Sequence, residues 1–253
     1  MRNICMRVSY DGTAYSGFQT QPDATAIQDH IEAALLTLTG ESIKITASGR
    51  TDAGVHARAQ VFNFYTVSQI PIERWCMAMN SRLPGDILIT QAREVAETFH
   101  ARRSSLRKTY RYTILNGRNR DVFHRHTEYH HYTPLKVDAM KDALSFFLGE
   151  HDFTAFCSTR TTKLSKVRTV YAASLKVENC EHDPAARRLY VEITGNGFLY
   201  NMVRIIVGTL IEVGEGKKSP EDIPVILQSK NRKKAGPTAM PHGLMLWEVL
   251  YPE

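Results

Sequence analysis

The sequence predicts an α+β fold made of two similar halves, each a mostly antiparallel sheet covered by helices. Short segments with alternating apolar residues, which are typical of strands, recur throughout the 253 residues. Segments with apolar residues three and four positions apart, which are typical of helices, lie between them. Because strands and helices follow one another in a similar order in both parts of the chain, we predict domains at residues 1–105 and 106–253.

The first half contains two predicted helices and four predicted strands. The first helix, residues 26–40, has an apolar face that includes Ile27, Ile31 and Leu35, and Gly40 stands where a C-terminal cap belongs. The second helix covers residues 72–83. Strands are predicted at residues 4–10, 43–47, 59–67 and 87–95.

The second half repeats this arrangement. Ser219 followed by Pro220 is a good signal for the start of a helix. Helices are predicted at residues 137–152, 197–216 and 219–229, and strands at residues 109–115, 167–178, 188–195 and 244–251. This order favours ferredoxin-like or RRM-like halves.

No sequence motif indicates a bound cofactor or metal. The chain has no GxxxxGK[ST] phosphate loop, no complete dinucleotide fingerprint and no GxSxG elbow. The four cysteines are far apart, and the histidine-rich tract at residues 124–132 has no partner at a familiar metal-ligand spacing. We therefore expect no cofactor, no nucleotide and no metal, and leave open whether His124 to His131 contact RNA.

Membrane association is not expected either. The N-terminus lacks the apolar core of a secretory signal. The longest apolar run, residues 204–214, is interrupted by Glu212 and is too short to span a bilayer. The sequence thus favours a cytoplasmic protein with reduced thiols.

Basic residues cluster in two stretches, between Arg102 and Arg125 and between Lys230 and Lys234, and both stretches favour an anionic partner. The formal net charge is +6. Tyr110 and Tyr112 are interleaved with the first stretch, as base stacking along a phosphate path requires. Solvated surface faces are the alternative for such stretches. Binding of the RNA backbone is predicted for Arg102, Arg103, Arg107, Lys108, Lys230, Arg232, Lys233 and Lys234.

The stretch SGRTDAGVHA, residues 48–57, carries the strongest chemical signal. Gly49 and Gly54 flank Arg50, Thr51 and Asp52, so the backbone can turn tightly and approach another group closely. An ionised carboxylate is a nucleophile, and a neighbouring guanidinium such as that of Arg50 keeps it ionised. A surface turn is the alternative for an isolated Arg-Thr-Asp tripeptide.

The sequence resembles a known family, the tRNA pseudouridine synthases of the TruA type, nearly from end to end. The resemblance rests on YDGTAYSGFQ, GRTDAGVHA, NSRLPGDI, FHARRSSLRKTYRY, HDFTAF and NGFLYNMVRIIVG, in that order. It implies that Asp52 is the catalytic aspartate and that Tyr110 lies against the target base. It further implies that Arg204 pairs with Asp52 and that Arg50 helps to evert the target nucleotide.

The same resemblance implies the reaction and the partner. It implies isomerisation of uridine to pseudouridine at positions 38, 39 and 40 of the tRNA anticodon arm, by a homodimer with a central positively charged cleft and no cofactor. Leu199 is expected to form an apolar wall beside the base. Arg58 and Ala59 depart from the family, which commonly has a glycine two residues after GVHA, so Arg58 is expected to alter how the adjacent RNA backbone is held.

Two other functions stay open on the residues alone. A non-catalytic RNA-binding protein with two sheet-based modules would account for the charge and the aromatic residues. An aspartate-based phosphohydrolase would need further acidic metal ligands near Asp52.

Overall fold

A computed structural model describes residues 1–22, 24–181 and 183–252. The chain divides into two compact units. The first contains Met1–Leu106 together with the chain from Met245 onward, and the second contains Arg107–Leu244. The C-terminal segment, which the sequence had assigned to the second domain, therefore groups with the N-terminal unit.

The described residues form ten strands and five α-helices. The strands are β1 (Arg2–Tyr10), β2 (Thr46–Ala47), β3 (His56–Thr66), β4 (Ile87–Val95), β5 (Arg107–Asn116), β6 (Tyr129–His131), β7 (Gly149–Asp152), β8 (Val167–Cys180), β9 (Asp183–Gly195) and β10 (Leu244–Leu250). The helices are α1 (Ile27–Thr39), α2 (Trp75–Asn80), α3 (Val137–Ser145), α4 (Met202–Gly214) and α5 (Asp222–Ser229).

The sheet of the first unit has the strand order β4-β1-β3-β10. Strand β1 is antiparallel to both β3 and β4, β10 runs parallel to β3, and the short β2 pairs antiparallel with β3. The side chains of Phe62 and Phe64 are fully buried, and Trp75 packs edge-on against Phe64 with ring centroids 5.5 Å apart. These phenylalanines belong to the core of the unit.

The sheet of the second unit has the strand order β5-β9-β8-β7, and all three of these pairings are antiparallel. Strand β6 is added to β5 in parallel. Tyr112 and Ile114 of β5 are fully buried, whereas Arg111 before Tyr112 and Thr113 between the two are half-buried. This alternation gives the sheet one apolar face, which belongs to the core of the unit. The predicted α+β class with mostly antiparallel strands is thus confirmed.

Helix α1 has the capping that its sequence predicted. Gly40 adopts the left-handed conformation with φ 74° and donates its N–H to the carbonyl oxygen of Leu36. At the other end, the carboxylate of Asp29 accepts a hydrogen bond from the backbone N–H of Ala26 at 3.0 Å. The C-terminal end is therefore satisfied locally, whereas the first helical N–H groups, those of Ile27 and Gln28, donate to the carbonyl oxygens of Gly17 and Phe18 at 3.2 and 2.9 Å.

Several predicted boundaries were wrong. The helix predicted at residues 137–152 ends at Ser145, and its last four residues form strand β7, which begins at Gly149 with a left-handed φ of 94°. The helix predicted at residues 72–83 is α-helical only at Trp75–Asn80, and the one predicted at residues 219–229 begins at Asp222.

Helix α4 begins at Met202 and not at residue 197, because Asn201 has a left-handed backbone with φ 61° that interrupts the helical path. The strand predicted at residues 43–47 is reduced to Thr46–Ala47, because Glu32 of α1 accepts the N–H of Ile45 at 3.2 Å. None of the helices in the described part of the chain could cross a membrane.

Helix α4 packs unusually closely on the segment at residues 235–239. A Cβ atom on Gly208 would lie 1.8 Å from the carbonyl oxygen of Pro237. The hydroxyl of Thr209 accepts the N–H of Gly236 at 2.9 Å. Ala239 donates its N–H to the carbonyl oxygen of Arg204 at 3.0 Å. The absence of a side chain at Gly208 is therefore what allows helix and segment to touch.

We expect Gly208→Ala to lower the free energy of unfolding by about 3 kcal/mol, the upper end of the usual cost of overpacking. Helix propensity acts in the opposite direction, since alanine is favoured over glycine inside a helix by about 1 kcal/mol. A loss measured by urea denaturation would therefore report the contact with Pro237. Gly85→Ala is the matched control, because a Cβ there would meet nothing within 4 Å. Equal effects of the two substitutions would contradict the packing argument.

Candidate functional site

Asp52 lies in the loop between β2 and β3. It is half-buried, and the preceding Thr51 is buried. Gly54 has a left-handed backbone with φ 73°, and Val55 closes the turn by donating its N–H to the carbonyl oxygen of Asp52 at 3.1 Å. The glycine predicted to permit a tight turn does so at Gly54.

A second loop, residues 10–18, fixes this turn on both sides of Asp52. The phenol of Tyr10 and the hydroxyl of Thr51 form a buried hydrogen bond of 2.8 Å. The carbonyl oxygen of Thr51 accepts the N–H of Phe18 at 3.2 Å, and Gly54 donates its N–H to the carbonyl oxygen of Tyr15 at 3.3 Å. Asp52 is therefore held by anchored neighbours on either side.

The two loops touch backbone to backbone, which requires glycines. A Cβ on Gly12 would lie 2.1 Å from the carbonyl oxygen of Val55, and one on Gly17 would lie 2.7 Å from that of Thr51. Gly17 also has a positive φ of 99°. The YDGT and YSGF segments in the sequence thus serve as the support of the Asp52 loop. The sequence does not reveal this role, because it depends on contacts between loops about forty residues apart in the chain.

Arg50 does not act as the fixed guanidinium that the sequence predicted beside Asp52. Its side chain is exposed, and within the described ranges it makes no hydrogen bond or ion pair. Fixing an exposed arginine in one ion pair costs side-chain entropy and yields little Coulomb energy in water. Arg58 is also exposed, but its guanidinium lies over the indole of Trp247, 4.3 Å from the ring centroid. This cation–π contact gives Arg58 a defined place on the sheet.

In the second unit, Tyr110 is a buried residue of β5, 9% exposed. Its ring meets Phe198 edge-on, with centroids 5.1 Å apart. Leu199, the residue that follows Phe198 in the sequence, is also buried. The two predicted substrate-binding residues Tyr110 and Leu199 therefore belong to an apolar part of the second unit, and Phe198 is a neighbour that the sequence had not singled out.

Arg204 lies in the first turn of α4 and is half-buried. Its Nε donates to the carbonyl oxygen of Ala239 at 2.8 Å, and its Nη1 donates to the side-chain oxygen of Asn201 at 3.1 Å. These bonds fix the guanidinium.

The predicted phosphate-binding residues fall into two groups. Some have partners within the chain: Lys230 pairs with Asp152 at 2.9 Å, and Arg107 lies over the ring of Tyr171 at 5.5 Å. Arg232 donates to the carbonyl oxygens of Ala235 and Gly236 and to the hydroxyl of Thr238, and burial lowers its pKa. Lys108 is half-buried. The second group contains Arg102, Arg103, Lys233 and Lys234, whose side chains are exposed and make no hydrogen bond or ion pair within the described residues.

The histidine-rich tract takes part in an ion-pair network. Arg188 donates to Asp121 at 2.7 Å and to Glu128 at 2.8 Å, and Nδ1 of His124 lies 2.7 Å from the same oxygen of Asp121. The hydrogen bond to His124, with help from backbone N–H groups, lowers the pKa of Asp121 to about 2. Asp121, His124 and Glu128 offer three potential ligand atoms within 4.8 Å of one another, but one oxygen of each carboxylate is already paired with Arg188.

Comparison with known proteins identifies the family. The family model described as tRNA pseudouridine synthase matches residues 6–102 and 143–252. The tRNA pseudouridine synthase A of Brevibacillus brevis is 50% identical over 99% of this chain and 100% of its own length. That of Anoxybacillus flavithermus is 47% identical over 99% of each chain. That of Caldicellulosiruptor bescii is 47% identical over 99% of this chain and 100% of its own.

These matches define the class of protein as an isomerase that acts on tRNA. The chain belongs to the tRNA pseudouridine synthase family. This membership confirms the resemblance on which the site residues were predicted, and it argues against both a non-catalytic RNA-binding protein and a phosphohydrolase.

The hydrogen bond between Tyr10 and Thr51 can be measured by a double-mutant cycle on stability. We expect Tyr10→Phe and Thr51→Val each to lower the free energy of unfolding by about 1–2 kcal/mol, because each leaves a buried hydroxyl without its partner. The double variant should show a coupling energy of about 1 kcal/mol.

The control cycle combines Thr51→Val with Tyr65→Phe, whose hydroxyl donates to the carbonyl oxygen of Glu97 and shares no partner with Thr51. These two effects should add. Additive effects for Tyr10 and Thr51 as well would mean that their hydrogen bond does not support the loop.

Proposed function

We propose that the protein converts uridine to pseudouridine in the anticodon stem-loop of tRNA, at positions 38, 39 and 40, with Asp52 as the nucleophile. The observation that carries the proposal is the support of Asp52: a half-buried carboxylate in a loop anchored at Thr51 and at Gly54. A surface turn without function would not need a second loop to hold it. Membership of the tRNA pseudouridine synthase family supports the reaction.

The reaction is an isomerisation that balances without a cofactor. The bond from N1 of the base to C1′ of the ribose breaks, the base rotates, and C5 is joined to C1′. The hydrogen on C5 leaves as a proton, and N1 gains one. The ionised carboxylate of Asp52 serves in attack at C1′, in attack at C6, or in support of a glycal route.

The other residues have roles in presenting the base. The target uridine must leave its stack before it can react, and the exposed side chain of Arg50, two residues before Asp52, suits a group that displaces it. Tyr110 stacks on the everted base and Leu199 lines it with apolar surface. Arg204 pairs with Asp52 and keeps it ionised, because an unpaired buried carboxylate would tend to take up a proton.

We further propose a cytoplasmic homodimer with a central positively charged cleft for the anticodon arm. Exposed cations suit contacts to phosphates, so Arg102, Arg103, Lys233 and Lys234 are the strongest members of the predicted set. Arg58, stacked on Trp247, presents a positive charge at a fixed place beside the start of β3.

The first test compares wild type with Asp52→Ala on unmodified tRNA transcripts that carry C5-tritiated uridine in the anticodon arm. Wild type should release tritium, and Asp52→Ala should lower the rate by at least about 10³-fold because the nucleophile is lost. Binding of tRNA should persist. Asp138→Ala, which removes an exposed carboxylate on α3, should keep the wild-type rate. Release by Asp52→Ala at the wild-type rate would refute the role of Asp52.

The exposed lysines can be tested through the salt dependence of tRNA binding. Lys233→Glu with Lys234→Glu should weaken binding and reduce the slope of log affinity against log salt by about 1–2, because one or two phosphate contacts are lost. The control is the double variant Lys141→Glu with Lys176→Glu, which makes the same change in charge at two lysines outside the predicted RNA-binding set. An unchanged slope in the first variant, or an equal change in both, would show that residues 233–234 form only a solvated face.

A further inference from the structure

His56 is a buried histidine close to the candidate nucleophile. It is the first residue of β3, four positions after Asp52, and its side chain is 1% exposed. Its Nδ1 lies 3.0 Å from the backbone nitrogen of Gly12 and 3.1 Å from a carboxylate oxygen of Asp11. Both contacts belong to the loop that supports Asp52.

The geometry assigns the tautomer of this histidine. The N–H of Gly12 can donate only to a ring nitrogen that carries no proton, so Nδ1 is the acceptor and the ring proton is on Nε2. The nearby oxygen of Asp11 does not require a proton from His56, because it accepts hydrogen bonds from the N–H of Thr13 at 2.9 Å and from its hydroxyl at 2.6 Å. His56 therefore acts as a hydrogen-bond acceptor for the backbone.

The bond to Gly12 reaches Asp52 through one intermediate residue. Gly12 is also the residue whose Cβ position lies 2.1 Å from the carbonyl oxygen of Val55. Val55 in turn donates its N–H to the carbonyl oxygen of Asp52. A shift of Gly12 would thus be transmitted to Val55 and then to the peptide of Asp52. This contact acts on the chain that follows Asp52, whereas Thr51 anchors the chain that precedes it.

We propose that His56 is a positioning residue of the pseudouridine synthase reaction, which holds Gly12 against Val55 and so fixes the carboxylate of Asp52 for attack. This inference rests on the proposed function of Asp52 and goes beyond it. His56 transfers no proton in this scheme. Its contribution is a third anchor of the loop, after those at Thr51 and Gly54.

Asparagine and leucine at residue 56 form a matched pair for the test. They have the same branching, and both place an atom where Nδ1 stands, but only the asparagine oxygen can accept the N–H of Gly12. Glutamine is polar but extends its acceptor beyond that place. His56→Asn should therefore retain the anchor, whereas His56→Leu and His56→Gln should lose it.

The measurements are the single-turnover rate at saturating tRNA, the Kd for tRNA, and hydrogen exchange of the amides at residues 10–13. His56→Leu and His56→Gln should lower the rate by about 10- to 100-fold, the usual effect of displacing a reacting group by about 1 Å. Their Kd should stay within about threefold of wild type, and their amides should exchange faster. His56→Asn should keep wild-type exchange and a rate within about fivefold of wild type.

Several outcomes would overturn the proposal. Equal rates for the asparagine and leucine variants, or an effect confined to Kd, would exclude positioning through the Gly12 bond. If His56→Leu does not fold, the asparagine and glutamine variants decide by the same comparison. If wild type releases no tritium, the proposed function fails, whereas unchanged exchange at residues 10–13 in His56→Gln would refute the anchor itself.

Discussion

The close backbone contact between residues 10–18 and the Asp52 loop is the constraint on which the site of the first unit depends. Two chain segments can approach to this distance only where no side chain intervenes, and Gly12 and Gly17 meet that condition. Glycine costs conformational entropy on folding, so its use here has to be offset by the hydrogen bonds that the contact permits. The result is a loop whose carboxylate is placed by tertiary contacts as well as by its own turn.

The second unit uses the same device for a different purpose. Gly208 lets α4 touch the segment at residues 235–239, and Arg204, one turn earlier, donates to Ala239 on that segment. The guanidinium is consequently fixed by the packing of the helix, with Asn201 as its second partner. An arginine held in this way presents its charge with little loss of side-chain entropy when it meets a carboxylate or a substrate.

Net positive charge is a poor guide to which cations bind RNA, because many of them serve the fold. Arg111 is paired with Glu192, Arg188 bridges two carboxylates, and Arg232 satisfies carbonyl groups of its own turn. The sequence could not separate Arg232 from Lys233 and Lys234, which stand in the same basic stretch. The distinction depends on burial and on partners that are distant along the chain.

The sequence by itself determined the fold class, most of the strands and helices, and the loop that carries Asp52, because these depend on local periodicity and on a short, specific motif. It also gave the C-terminal cap of α1 at Gly40, where one residue decides the geometry. Only the tertiary structure decided that residues 10–18 support the Asp52 loop, that Arg50 stays without an ion pair in the described part of the chain, and that His56 accepts the N–H of Gly12. The contacts of residues 10–18 and of His56 join groups that are far apart in sequence, and the state of Arg50 depends on its exposure to solvent. A local sequence pattern predicts neither long-range contacts nor exposure.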